Sequence, residues 1–264
     1  MSRISGKTVL ITGASSGIGE ACARRLGSEG ANLILWARRE ERLRELAAEL
    51  HSTFDVEVAT AIVDVRDRAR VGEEGSWLAA TDNIPHVLIN NAGLARGFAK
   101  FHEADPEDWD EMIDTNIKGV LNVSREIMPQ MIQLGRGHVV NLGSTAGHMT
   151  YPNGNVYAAT KFAIRGLSEG MNIDLSGTPL KVTSVDPGFV ETEFSTVRFG
   201  GDAQRAKQVY RGFQPLGPDD IADTISYVVN LPDHVNITDL VIVPTAQRNV
   251  YVVDRSEGRG ARDE

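Results

Sequence analysis

The stretch TGASSGIGE, Thr12–Glu20, sets three glycines within seven residues, directly after the run Thr8-Val9-Leu10-Ile11 and before an Ala/Arg/Leu-rich segment. A strand that ends in glycines and turns into a helix presents unpaired backbone N–H groups at the positive end of the helix dipole, where a phosphate binds well. The same glycines also serve plain packing, because a residue without Cβ lets a helix sit tightly on a strand. The spacing is G-x-x-x-G-x-G, not G-x-G-x-x-G, so the rest of the chain must decide between the two readings.

Outward from that turn, short β-branched runs recur at Thr8 to Thr12, Asn32 to Trp36, Val56 to Val63, His86 to Asn90, His138 to Leu142, Lys181 to Val185 and Asp239 to Val243. They lack clean alternation, as suits strands covered on both faces. Helical spacing lies between them, including Gly17 to Glu29, Arg39 to His51, Pro106 to Leu134 and Val156 to Leu175. Strand and helix therefore alternate, which predicts an α/β fold, a Rossmann-type doubly wound parallel sheet in a single domain over residues 1–253. Asp105 and Pro106 read as the cap and first residue of one helix, whose apolar stripe runs from Trp109 to Leu121. Residues 254–264, DRSEGRGARDE, read as a charged mobile tail.

A net charge of -9 and a pI near 5.2 disfavour nucleic acid or an anionic membrane as partners. The lone Cys22, at helical spacing behind the glycine turn, reads as a small buried apolar residue. No metal is expected, since His138 and His148 flank an apolar strand without ligand partners nearby in sequence. The first strand follows the N-terminus without a long apolar segment, and no run reaches the roughly 18 apolar residues of a membrane span. A cytoplasmic protein is the expectation.

Tyr157 and Lys161 in YAATK are four apart, on one face of a helix and one turn from each other. A tyrosine of ordinary pKa near 10 is a poor acid or base at neutral pH, and a neighbouring ammonium favours its phenolate. Alone, Tyr-x-x-x-Lys is mostly structural. Ser144, at the end of HVVNLGS, supplies a hydroxyl able to hydrogen-bond a carbonyl oxygen beside Tyr157.

With these residues in view, the sequence resembles the short-chain dehydrogenase/reductase family. Thr12-Gly13-x-x-x-Gly17-x-Gly19, Asp64-Val65, Asn90-Asn91-Ala92-Gly93, Asn116, Ser144, Tyr157-x-x-x-Lys161 and Pro187-Gly188 occur in the family's order and spacing. The resemblance implies seven strands in the order 3-2-1-4-5-6-7, a nicotinamide coenzyme across the switch point, and a catalytic set of Asn116, Ser144, Tyr157 and Lys161. It further implies that Gly13, Gly17 and Gly19 admit a pyrophosphate beside Ser15, Ser16 and Ile18. Asp64 and Val65 would hold the adenine edge, and Asn91, Ala92 and Gly93 the adenosine ribose side. Lys161 would bind the nicotinamide ribose, next to Tyr157, and carry a proton path past Asn116. Pro187, Gly188, Val190 and Thr192 would close over the nicotinamide.

About 20 residues past the glycines, an NAD-binding unit usually presents an acid for the ribose 2′-hydroxyl. Here that place reads Trp36-Ala37-Arg38-Arg39. Two guanidinium groups suit a 2′-phosphate, hence NADP(H), although the same arginines also read as the charged start of a helix. Many NADP-using relatives add a basic residue before the middle glycine, where this chain has Ser16. The strings GSTAG, NVYAATK, TEFSTVRF and LPDHVNITDL resemble the branch of NADP-dependent 3-hydroxy acid dehydrogenases, which implies a homotetramer and small substrates such as serine, allo-threonine or 3-hydroxyisobutyrate.

A carboxylate substrate needs a cation, and Arg198 is best placed among the substrate candidates Ser144, Tyr157, Asn155 and Arg198. A salt bridge to a nearby carboxylate is the bland alternative for Arg198. Asn153 stands where that branch leads one to expect glycine. Two other functions stay open: a broad carbonyl reductase, and a catalytically silent nucleotide-binding regulator.

Overall fold

The computed structural model describes residues 2–256. Strands β1 (Thr8–Thr12), β2 (Asn32–Ala37), β3 (Val58–Ile62), β4 (Val87–Asn90), β5 (Gly137–Leu142), β6 (Leu180–Pro187) and β7 (Asp239–Ile242) form one parallel sheet, ordered β3-β2-β1-β4-β5-β6-β7. That order agrees with the expected one. Val9 and Ile11 pack into one core, and Leu10, between them, into the other, so β1 is buried on both faces, as its unbroken apolar run required. The edge strands β3 and β7 are half exposed and more polar, since each has a neighbour on one side alone.

Helices α1 (Gly17–Ser28), α2 (Glu40–Phe54) and α9 (Pro218–Val229) cover one face of the sheet. Helices α3 (Arg68–Ala80), α5 (Gly119–Gln133) and α6 (Asn155–Asp174) cover the other. Each fully buried Leu or Ile in these layers contributes about 1.5–3 kcal/mol of transfer free energy. Segments from early and late in the chain close on one another where α1 packs on α9: Ser2 Oγ donates to Asn230 Oδ1 at 2.7 Å, 228 positions away, and Asn230 Nδ2 donates to Glu29 Oε2 at 2.8 Å. Cys22 is fully buried in that layer.

The helix expected over Pro106 to Leu134 is interrupted. Asp105 caps α4 (Pro106–Ile113) by accepting from Glu107 N at 2.9 Å, but residues Asp114–Lys118 widen into a π turn before α5 begins. A π turn slips the helical register and re-aims the side chains it carries. Asn116 is one of them.

After β6 the chain forms two short helices, α7 (Glu193–Arg198) and α8 (Ala203–Val209), above the C-terminal ends of the strands. Of the stretch expected to be a mobile tail, Arg255 donates from Nη1 to Val209 O at 3.0 Å and Arg211 O at 2.7 Å, and stacks 5.0 Å from the Phe213 ring. Residues 257–264 lie outside the described part. No helix among the described residues is long and apolar enough to cross a membrane.

Candidate active site

A cleft of about 820 Å³ opens where β1 and β4 diverge toward their helices, the switch point of a doubly wound sheet. The glycine turn forms its floor, and its three glycines divide the labour. Gly13 and Gly19 are small for internal packing: a Cβ on Gly13 would sit 2.9 Å from Ala92 Cα, and one on Gly19 would lie 2.5 Å from Asn91 Nδ2. Asn91 Nδ2 donates to Thr12 O at 2.9 Å, which fixes the turn against β4. Gly19 does not line the cleft, contrary to the role read from its motif. Gly17 does, with φ of +55° and Thr192 across a narrow gap where a Cβ would intrude at 3.3 Å. Ser15, Ser16 and Ile18 also line it, and Ser16 leaves the first turn of α1 without a side-chain cap. Thr115 Oγ1, buried in the cleft wall, has no hydrogen-bond partner among the described residues. Uncapped N–H groups, a glycine-sized gap and an unsatisfied hydroxyl in one cleft fit a phosphate-linked nucleotide.

The Arg38 side chain is 57% exposed at the cleft's outer end, with Asp64 Oδ2 4.0 Å away. Arg39 folds back over the glycine turn, donating from Nε to Ser15 Oγ at 3.0 Å, and pairs from Nη1 with Glu193 Oε2 at 2.9 Å. Arg42 holds the other oxygen of Glu193 at 2.8 Å, and these two hydrogen bonds keep the Glu193 carboxyl below the usual carboxylate range. Helix α7 is thereby tied across the cleft from one end. Asp64, Val65, Asn91, Ala92, Gly93, Pro187, Gly188, Val190 and Thr192 all line the cleft.

At the inner end stand Ser144, Tyr157 and Lys161. Ser144 follows β5, and its hydroxyl donates to Pro187 O at 3.4 Å while standing near enough to the Tyr157 phenol to act on its titration. Lys161, one turn along α6, lies 6.0 Å from the Tyr157 ring centroid and donates from Nζ to Leu142 O at 2.7 Å. Burial pulls the Lys161 ammonium down to about 8, against the attraction of Asp186. Burial pushes the Tyr157 phenol up, and Tyr151 adds to this, while the Ser144 hydroxyl and the Arg198 charge pull it back. Desolvation thus outweighs the lowering expected from a neighbouring cation. Asn116 does not reach the cleft: its Oδ1 accepts from Leu94 N at 2.9 Å and its Nδ2 donates to Leu94 O at 2.8 Å. It braces the loop that carries Gly93, as a satisfied buried amide does.

Arg198, at the end of α7, faces the same Tyr157. Its guanidinium lies 5.7 Å from the Tyr157 ring, 5.5 Å from Tyr151 and 4.8 Å from Phe98. Nε donates to Gly97 O at 3.1 Å and Nη1 to Tyr151 Oη at 2.8 Å, which ties down the second end of α7. Among the described residues no carboxylate lies within salt-bridge reach of Arg198, so the salt bridge weighed from sequence is not formed. Asn155 points away, donating to Ala99 O at 3.1 Å and lining a separate small hollow with Asn153. Asn153 adopts a φ of +63°, a left-handed geometry that asparagine tolerates better than most residues, and so fills the place of a glycine.

Sequence reasoning missed the aromatic walls Phe98 and Tyr151, which come from loops with no periodicity to betray them, and Phe199 at the end of α7. It also missed Gln247, which is 2% exposed and accepts from Phe189 N at 3.0 Å, holding the turn after Gly188. His148, read as lacking ligand partners, stands beside Asp186 and Asp239, supplied by β6 and β7 from far along the chain.

The short chain dehydrogenase family model matches residues 7–200. The NADP-dependent 3-hydroxy acid dehydrogenase of Salmonella typhi is 45% identical over 240 residues, covering 90% of this chain and 95% of its own. Sulfoacetaldehyde reductase 2 of Chromohalobacter salexigens is 45% identical over 249 residues, covering 94% and 98%. The closed form of a serine dehydrogenase complexed with NADP+ superposes with a TM-score of 0.87 at 43% identity, over 91% of this chain and 96% of that one. Glycine turn, switch-point cleft and paired Tyr157 and Lys161 thus coincide with an alignment running almost end to end, and the chain belongs to the short chain dehydrogenase family.

Proposed function

We propose that the chain is an NADP-dependent dehydrogenase that moves a hydride between the nicotinamide and the 3-hydroxyl or 3-oxo carbon of a small hydroxy acid such as serine, allo-threonine or 3-hydroxyisobutyrate. The observation that carries the substrate class is Arg198, a cation without a carboxylate partner among the described residues and stacked 5.7 Å from the Tyr157 ring. An anionic head group on that guanidinium leaves the next carbons beside the phenol. The named substrates of the relatives fit this reading, since both a 3-hydroxy acid and sulfoacetaldehyde carry an anion near the reacting carbon.

The coenzyme, when bound, supplies the hydride acceptor for oxidation and the donor for reduction. The α1 terminus with Gly17 would hold its phosphates, Arg38 and Arg39 its 2′-phosphate, and Lys161 the ribose next to the nicotinamide. Tyr157 Oη takes the substrate hydroxyl proton in oxidation and returns it in reduction. Ser144 Oγ hydrogen-bonds the same substrate oxygen and holds it within reach of Tyr157. Lys161, anchored on Leu142 O, keeps positive charge near the phenol as the proton moves. The lid α7 and the aromatic walls exclude water from the transfer.

A scan of NADP+ reduction with L-serine, L-allo-threonine, 3-hydroxyisobutyrate and simple secondary alcohols tests the proposal. Turnover confined to the acids supports it. A preference for neutral substrates favours a broad carbonyl reductase, the reading to which the apolar walls Phe98, Phe194 and Phe199 lend weight.

The coenzyme reading carries its own prediction. Arg38→Asp exchanges a partner for a phosphate dianion for one suited to a hydroxyl, and specificity is expected to swing from NADP+ toward NAD+ by about 1–3 kcal/mol, the scale of a charge-assisted hydrogen bond. Fluorescence titration of parent and variant with both nucleotides reads it. Tighter binding of NAD+ than NADP+ by the parent overturns the coenzyme assignment. A cytoplasmic homotetramer belongs to the same proposal, supported by the exposed apolar side chains Leu121, Ile132, Phe162 and Ile173 on α5 and α6. Light scattering at four chain masses is the expected result.

A further inference from the structure

Asp186 ends the apolar run of β6 with a carboxylate that is 1% exposed, an expensive position for a charge unless something answers it. The strand register explains what does. Ser184 and Asp186 point to one face of the sheet, and Asp239 of β7 pairs directly with Ser184, so the two carboxylates stand side by side. On the other flank, Asn141 of β5 pairs with Ser184, which sets Gly143 opposite Asp186. A Cβ on Gly143 would collide with Asp186 Oδ1. The carboxylate therefore leans on the backbone between Leu142, whose carbonyl receives the Lys161 ammonium at 2.7 Å, and Ser144.

Helix α6 lies over this face. Tyr157, Lys161 and Arg165 are spaced by four, one stripe along the helix. Arg165 Nε is 3.4 Å from Asp239 Oδ2. Lys161, the middle rung, is held at the strand end by Leu142 O, next to the Gly143 against which Asp186 leans, and the Asp186 charge draws its ammonium up against burial. Two groups secure Asp186: Ser184 Oγ donates at 2.7 Å to Oδ1, and His148 Nε2 lies 2.5 Å from Oδ2. His148 follows the turn Thr145–Gly147 that begins at Ser144, and it is half-buried.

We infer that Asp186 is a positioning residue for the proposed proton-transfer pair: it is the counter-charge of Lys161, and His148 keeps it ionised by donating to it from the solvent side. The inference rests on Tyr157 and Lys161 acting as proposed above. The charged and titratable groups around Asp186 are Lys161 and Tyr157 from α6, Asp239 from β7, itself paired with Arg165 of α6, and His148 from the loop after β5, with Ser184 from its own strand. Tyr151 and Arg198 act on Tyr157 as well. Burial, with the facing Asp239 adding to it, holds the Asp186 carboxyl above the usual carboxylate range, and the bonds from Ser184 and His148 offset part of that rise.

The sign follows directly. An anion at Asp186 favours the charged ammonium of Lys161 and disfavours the charged phenolate of Tyr157, so its removal lowers both titrations together. Asp186→Asn keeps the shape and removes the charge. In oxidation of a hydroxy acid, both limbs of the pH profile of kcat/KM are expected to move toward acid by about one pH unit.

A folded Asp186→Asn enzyme whose two limbs superpose on the parent's overturns the inference. If that variant does not fold, the pair His148→Gln and His148→Leu decides. Leucine, which cannot donate, moves the profile to acid, whereas glutamine, which can, keeps the parent profile; a leucine variant that titrates like the parent overturns the inference. The Tyr157→Phe variant separates the levels, because full turnover without the phenol removes the proton-transfer assignment itself.

Discussion

Tyr157→Phe is expected to fold, to bind NADP+ within about twofold of the parent, and to lose at least about 100-fold in kcat, the usual contribution of a positioned acid or base. The ring can stay where it is. It packs edge-on to Phe194 at 5.5 Å and under Arg198 at 5.7 Å, and neither contact involves the hydroxyl. What disappears is the phenol beside Ser144, and with it the atom proposed to exchange a proton with the substrate oxygen. Steady-state kinetics with the best acid substrate, alongside a coenzyme titration, measures both halves. Turnover within about threefold of the parent would remove Tyr157 from the chemistry.

Arg198→Met should raise KM for a hydroxy acid by about 10- to 100-fold, in line with loss of a charged hydrogen bond of roughly 1.5–3 kcal/mol, and leave neutral alcohols nearly untouched. Methionine keeps an unbranched, polarisable chain against Phe98 and Tyr151 but removes the cation. The guanidinium also braces the lid through Gly97 O and Tyr151 Oη, so some loss common to all substrates is expected from looser closure. The informative quantity is therefore the contrast between an acid and its methyl ester measured on one preparation. Comparable losses for both would show a collapsed lid and no carboxylate clamp.

Local pattern disclosed the sheet and the pairing of Tyr157 with Lys161. Val9, Leu10 and Ile11 could be placed in a doubly covered strand because no polar residue interrupts them, and Tyr157 and Lys161 because a helix turn brings residues four apart together. Features made by pairing distant segments stayed hidden. Nothing near His148 in sequence announces Asp186 or Asp239, which meet it through the register of β6 and β7. The aromatic walls around Arg198 come from irregular loops, where side-chain direction follows no period. Gly19 and Asn116 show a third limit: a motif marks a position as constrained without saying whether a ligand or the neighbouring backbone imposes the constraint. Here Asn91 constrains Gly19, and the π turn aims Asn116 at Leu94.

The clasp between early and late segments of the chain has a bearing on how the molecule comes into being. Helix α1 buries Cys22, Ala23 and Leu26 in the layer that α9 completes, yet α9 is made only when most of the polypeptide already exists. At the usual about 5–20 residues per second of synthesis, the early half-sheet waits tens of seconds with an apolar flank bare. A parallel sheet whose central strand must find β4 beyond α1, β2, α2, β3 and α3 is slow to assemble in any case. The nascent chain is thus exposed to aggregation for as long as α9 is missing, and a break anywhere before Pro218 leaves a fragment that cannot cover its own first helix.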